Sequence, residues 1–192
     1  MNKLRSIAVY CGSSVGNNPV YAENARKLMS HFANHNIRLV NGGGSIGLMG
    51  VMADRIMELG GQAIGVIPLS LKEKELAHMG MTEIHIVPDM HSRKLMMVNL
   101  SDAFIGFPGG FGTMDEVFET LTWSQLHLHH KPILIYNPNG FYDRLIEQVD
   151  HMTAEGFINA HSRRLLMATD DIEQVIPMLR EFSHAVVDKW TY

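Results

Sequence analysis

The chain has 192 residues, 46% hydrophobic and 19% charged, which predicts one globular domain over 1–192 with a sizeable core. A formal net charge of −4 with no basic run excludes nucleic acid as the main partner, and no apolar stretch is long enough for a signal peptide or a membrane span. Cys11 is the one cysteine, so an internal disulfide is excluded and a reducing, cytoplasmic setting is expected.

In chain order, short apolar runs alternate with longer amphipathic segments. SIAVYC (6–11) is followed by NPVYAENARKLMSHFANH (18–35), and IRLV (37–40) by a glycine turn and IGLMGVMADRIMELG (46–60). QAIGVI (62–67), the loop SLKEKELAHMG (70–80), EIHIV (83–87) and DMHSRKLMMVNLS (89–101) come next. DAFIGF (102–107), TMDEVFETLTWSQLHL (113–128), PILIY (132–136), GFYDRLIEQVDHM (140–152), RLLMATD (164–170) and DIEQVIPMLREF (171–182) complete the series. Continuous apolar strands are those covered on both faces, and the βαβα rhythm predicts a Rossmann-like, doubly wound α/β fold with a parallel sheet. Asn18-Pro19 and Asp170-Asp171 read as helix starts and Gly60 as a helix stop. Fourteen methionines, spread through the amphipathic segments, read as flexible core filler.

Ligands in such folds bind at the carboxyl ends of the strands. Three loops at that edge are built of small residues: CGSS (11–14), NGGGSIG (41–47) and PGGFGT (108–113). The second formally satisfies G-x-G-x-x-G at Gly42, Gly44 and Gly47. It follows the second strand rather than the first, however, and the next strand ends at Pro68 without the acid that would hold a ribose hydroxyl. The loop therefore reads as a tight turn or as a phosphate contact at a helix start.

PGGFGTMDE (108–116) is more specific. Gly109, Gly110 and Gly112 would permit positive φ and leave their amides unshielded, and Thr113 adds a hydroxyl at a helix N-terminus. Met114, Val117, Phe118 and Leu121 form the expected packing stripe of that helix. Glu116 falls on the far side, in line with Thr120, Trp123 and His127. A first-turn glutamate often just complements the helix dipole. Beside an anion cradle, though, an acid is electrostatically awkward, and it points to chemistry. Arg93 lies between Met96, Met97 and Leu100 on its helical wheel. Such an arginine either snorkels out, pairs with a carboxylate such as Asp89, or meets a ligand anion.

Through CGSS, GGGSIGLMG (42–50), MHSRK (90–94) and PGGFGTMDE, in that order, the chain closely resembles the LOG ("lonely guy") family from about residue 5 to about residue 180. Its members are cytokinin riboside 5′-monophosphate phosphoribohydrolases that have carried a lysine decarboxylase label. The resemblance implies hydrolysis of the N-glycosidic bond of AMP-like nucleotides, giving a free base and ribose 5-phosphate. It implies Arg93 and Glu116 as catalytic residues. It implies substrate contacts from Gly12, Ser13, Gly43, Gly44, Met90, Arg93, Lys94, Gly109, Gly110, Gly112, Thr113 and Glu116. No metal or organic cofactor is required, and a homodimer or a larger even-numbered assembly is expected, with Trp123 as an exposed contact. The loops alone would also allow a nucleotide carrier without chemistry, but such a protein gains nothing from Glu116. Pyridoxal phosphate needs a Schiff-base lysine, for which Lys131 is the suggestive candidate, and it reads better as the lead into PILIY. The histidines 127, 129 and 130 read as the cationic end of a helix rather than a metal cluster. Cys11 has no activating base and reads as a small turn residue.

Overall fold

The structure, a computed structural model, describes residues 3–72 and 77–184. In chain order the elements are β1 (Ser6–Tyr10), α1 (Val20–Asn34), β2 (Arg38–Asn41), α2 (Gly47–Glu58), β3 (Ala63–Pro68), α3 (Leu69–Lys72), β4 (Glu83–Val87) and α4 (Met90–Leu100). They continue with β5 (Ala103–Gly106), α5 (Phe111–Gln125), β6 (Ile133–Tyr136), α6 (Asp143–Ala154), α7 (Ala160–Arg163), β7 (Leu166–Thr169) and α8 (Ile172–Glu181). All seven expected strands form, and they pair in parallel in the order β4-β3-β2-β1-β5-β6-β7. The Rossmann-like α/β expectation holds. Part of the expected loop 70–80 is instead the short α3, and residues 73–76 of it lie outside the described residues.

Period-two alternation along the strands divides the core into two layers. Ile7, Leu39, Ile105 and Leu134 face Leu28, Met29 and Phe32 of α1, Met52 and Ile56 of α2, and Val175 and Leu179 of α8. Ala8, Val40, Phe104 and Ile133 face Met97 of α4, Val117 of α5 and Val149 of α6. Burying each large side chain contributes roughly 1.5–3 kcal/mol, and truncating Phe32 or Met52 would leave a cavity in the first layer. Five methionines (29, 49, 52, 81 and 97) are buried among these residues, as expected of core filler, whereas Met79 is exposed.

Helix ends follow the sequence signals. The Asp89 and Asp171 carboxylates accept the backbone N–H groups of Ser92 and Glu173 and so start α4 and α8. Asn18 accepts from Val20 N–H at the start of α1, and Gly60, at φ +71°, follows α2. Strand order reverses at β1, where α/β sheets open their ligand crevice. There the three glycine-rich loops meet: Gly12 N–H donates to the Pro108 carbonyl at 3.0 Å, and Leu48 N–H donates to the Gly12 carbonyl at 3.1 Å. Among the described residues no helix is long and apolar enough to cross a membrane.

Candidate active site

The cleft at this crevice is lined by Cys11, Gly12 and Ser13 after β1, Met49 of α2, Met90 and Arg93 of α4, and Gly110, Phe111, Gly112, Thr113 and Glu116 around the start of α5. Its volume is about 180 Å³.

Glu116 and Arg93 define its floor. Arg93 Nη1 lies 3.1 Å from Glu116 Oε1, and their side chains are only 9% and 8% exposed. Arg93 Nε donates to the Val66 carbonyl at 3.1 Å, so the end of β3 fixes the guanidinium plane. Of the partners open to Arg93 from sequence, the structure selects Glu116 rather than Asp89, which is occupied as a helix cap.

Glu116 therefore sits on a buried face of α5, contrary to the expectation that it points away from the sheet. The buried residues of the helix are Thr113, Glu116, Val117, Thr120 and Ser124, with Met114, Phe118 and Leu121 only half-buried beside them. A mostly polar stripe can be buried here because most of it is partnered. Thr120 donates its hydroxyl to the Glu116 carbonyl at 2.7 Å, and its Oγ1 lies 3.1 Å from the Tyr10 hydroxyl. Burial, with the Glu116 charge adding to it, pushes the Tyr10 phenol well above its ordinary value, so it stays protonated and can donate. Trp123 is likewise half-buried against the second core layer, not an exposed surface residue.

The glycines divide by role. None of Gly109, Gly110 and Gly112 has positive φ, so the freedom expected there is not used. A Cβ on Gly109 would lie 2.1 Å from Thr113 Oγ1 and 2.7 Å from Gly12 N, so this glycine lets the loops close. A Cβ on Gly110 or Gly112 would meet nothing within 4 Å, which leaves open space in front of the helix start. No side chain caps α5, and its first-turn amides remain available to an anion.

Gly43 and Gly44 are not among the cleft residues. Gly43, at φ +76°, accepts from His78 N–H through its carbonyl, and Gly44 bridges to Ala77. Gly42 makes room for Arg93, and Gly47, at φ +66°, packs on the Ser13 backbone. The G-x-G-x-x-G loop thus packs against an arginine and another loop. Lys94 also stays outside the lining. Its Nζ lies 3.2 Å from Asp115 Oδ2 and 3.0 Å from Glu119 Oε1, tying α4 to α5. Met49 and Phe111 line the cleft without having been singled out in the sequence. Phe111 fills the variable position of the PGGFGT loop, and Met49 had no distinguishing signal.

Cys11 is buried, and burial first, then the Glu116 charge, pushes its thiol upward, away from thiolate character. Lys131 donates to the Val98 carbonyl at 2.7 Å. With Lys94 and Lys131 both engaged elsewhere and no lysine in the lining, the cleft does not fit pyridoxal phosphate. His129 is not the cationic helix end expected. Burial pushes it down to about 4, with Nε2 at 2.9 Å from the Thr120 carbonyl and Nδ1 accepting Lys131 N–H.

The sequence model of a family described as "possible lysine decarboxylase" matches residues 49–179. A cytokinin riboside 5′-monophosphate phosphoribohydrolase of Rhodococcoides fascians is 43% identical over 177 residues, covering 92% of this chain and 89% of the relative. The chain belongs to the LOG family. Another LOG protein, LOG2 of Arabidopsis thaliana, is 40% identical over 181 residues, covering 94% and 85%. Among solved structures, the molybdenum cofactor binding protein of Rippkaea orientalis superposes with a TM-score of 0.69 at 20% identity, covering 92% and 95%. The molybdenum cofactor carrier protein of Chlamydomonas reinhardtii does so with 0.68 at 19%, covering 93% and 97%. At such identities these two share the fold with LOG proteins and carry no information on ligand.

Proposed function

We propose that this chain hydrolyses the N-glycosidic bond of adenosine-type nucleoside 5′-monophosphates, AMP or its N6-modified forms, to a free base and ribose 5-phosphate. The observation that carries this reading is the buried 3.1 Å Arg93–Glu116 pair set directly behind an uncapped helix start. The named activity of the LOG relatives points the same way.

In this reading the 5′-phosphate takes the α5 amides and the Thr113 hydroxyl, in the space left by Gly110 and Gly112, with Gly12 and Ser13 closing the other side. The ribose then lies over Glu116. As the C1′–N9 bond breaks, its electron pair leaves with N9, and positive charge grows on C1′ and the ring oxygen. The Glu116 carboxylate stabilises that charge and takes a proton from the attacking water, whose oxygen bonds to C1′. The released proton ends on the base. Arg93 holds the carboxylate in place. Lys94, Gly43 and Gly44 act as supports rather than substrate contacts.

Past Gly12, Ser13 and Gly110 the cleft adjoins a second hollow of about 310 Å³ edged by Tyr21, Leu48 and Phe141, so the space beside the helix start suffices for the rest of a nucleotide. Among the cleft residues, Met90 and Phe111 are 37% and 97% exposed. An apolar rim of this kind supports a homodimer in which a second copy covers the opening. A single buried cysteine supports a cytoplasmic setting.

The deciding experiment is base release from AMP, GMP, CMP and N6-isopentenyl-AMP, with adenosine as the control lacking phosphate. Cleavage of AMP-type nucleotides, far faster than of adenosine, is expected. Binding without release would instead make the protein a nucleotide carrier.

A further inference from the structure

A second cluster of chemistry-bearing side chains lies apart from the cleft, where the α5–β6 connection meets the chain following α8. We propose that His127, His130 and His184 form a transition-metal site of the zinc type, which clips the segment after α8 to the body of the protein. One ring nitrogen from each of the three lies within 4.8 Å of the others. Their ring centroids are 6.0 Å (127–130), 5.6 Å (127–184) and 4.4 Å (130–184) apart. A tetrahedral zinc with metal–nitrogen bonds of about 2.0–2.1 Å holds its ligand nitrogens about 3.4 Å apart, so side-chain shifts of about an ångström would close the set.

The polar groups around this point are poorly satisfied without an ion. Neither ring nitrogen of His184 makes a sound hydrogen bond, although both are buried. His161, whose ring centroid is 6.1 Å from that of His184, has a buried Nε2 in the same condition but stands outside the trio of mutually close nitrogens. Burying polar nitrogens without partners is costly, and a cation would offset that cost. A neutral imidazole is the form that ligates. Three imidazoles with no thiolate or carboxylate suit zinc, nickel or copper(II) better than magnesium or calcium. None of these histidines lines the catalytic cleft, so the ion would stabilise the fold rather than take part in base release.

The test is a titration of the metal-free full chain with zinc, nickel and cobalt(II), beside His130→Gln, His184→Gln and the double variant. The wild type should bind one equivalent more than the double variant, and zinc should raise its melting temperature while leaving that of the double variant unchanged. Each single variant should lose at least tenfold in affinity, and bound cobalt should show the intense visible bands of tetrahedral coordination in the wild type alone. AMP cleavage should be the same with and without zinc. His130 is exposed, so its single variant keeps the test sound if changes at His184 disturb folding. Equal stoichiometry and affinity in wild type and His130→Gln would overturn the proposal. Loss of AMP cleavage on metal removal would overturn the structural role assigned to the ion.

Discussion

Gly42 and Arg93 share one space: a Cβ on Gly42 would lie 1.9 Å from Arg93 Nη2 and 3.1 Å from its guanidinium carbon. A glycine in the second loop thereby sets the position of an arginine on α4, and through it the carboxylate of α5. Gly42→Ala should push the guanidinium off its 3.1 Å contact with Glu116. Base release should fall by about tenfold or more, since small misplacements of a catalytic constellation are that costly. Nucleotide binding through the α5 amides should persist. Wild-type turnover in Gly42→Ala would show that the pair does not need this geometry.

Glu116→Gln removes the charge while keeping the shape. Turnover should drop on the order of a hundredfold or more, as for other electrostatic and acid–base groups. Because Arg93 is buried with Glu116 as its partner, the variant should also lose roughly 1–3 kcal/mol of stability. Base release and thermal denaturation, measured on the same sample, separate the two effects. A fully active Glu116→Gln would end the mechanism assigned here.

Gly112→Ala sets helix stability against ligand space. It lies in the first turn of α5, where alanine is the better helix former by up to about 1 kcal/mol, and its Cβ would meet no protein atom within 4 Å. The variant should melt at or above the wild-type temperature yet raise the KM for AMP several-fold. Unchanged KM would mean that the phosphate does not approach this turn.

Lys94→Met should cost about 1–2 kcal/mol at neutral pH, because Asp115 and Glu119 would then face each other at i, i+4 without a cation. Burial opposes the Lys94 charge, but Glu119 and Asp115 outweigh it and raise its pKa above the ordinary 10.5. The bridge is therefore fully present below 10.5 and lost as pH rises through the raised folded value. The stability gap between wild type and variant should be flat from neutral pH up to that point and shrink beyond it. Chemical denaturation at several pH values reads this directly.

Phe111→Glu places a charge on the most exposed apolar residue of the cleft lining. It should shift the solution mass from dimer to monomer. A monomeric wild type at micromolar concentration would refute the homodimer.

The strands and the ligand edge were legible because continuous apolar runs and small-residue loops are local signals. What the helical wheel missed was α5. It equates burial with apolarity, whereas Glu116 and Thr120 are buried through Arg93 and Tyr10, partners 23 and 110 positions away along the chain. The resemblance pairs Lys94 with Arg93 as a substrate contact, but neighbouring residues on a helix point about 100° apart, and the two reach different carboxylates. His127, His129 and His130 lie beyond the end of α5, where the chain is not helical, so no helix end gathers them. His129 turns inward under Thr120, and the third member of the surface cluster, His184, comes from beyond α8.

The central pairing of β1 with β5 joins Ile7 to Ala103, and Asp102 locks it by accepting the backbone N–H groups of Arg5 and Ser6. Such a contact closes a loop of nearly a hundred residues, among the slowest events available to a folding chain. During synthesis β1 can pair with β2 early, but its other edge stays open until β5 has emerged. The crevice between these two strands is thus assembled late. A chain arrested before Ala103 would carry an uncovered apolar strand edge where the finished protein carries its candidate active site, and aggregation of such fragments is the cost of placing the cleft at the seam between the two halves of the sheet.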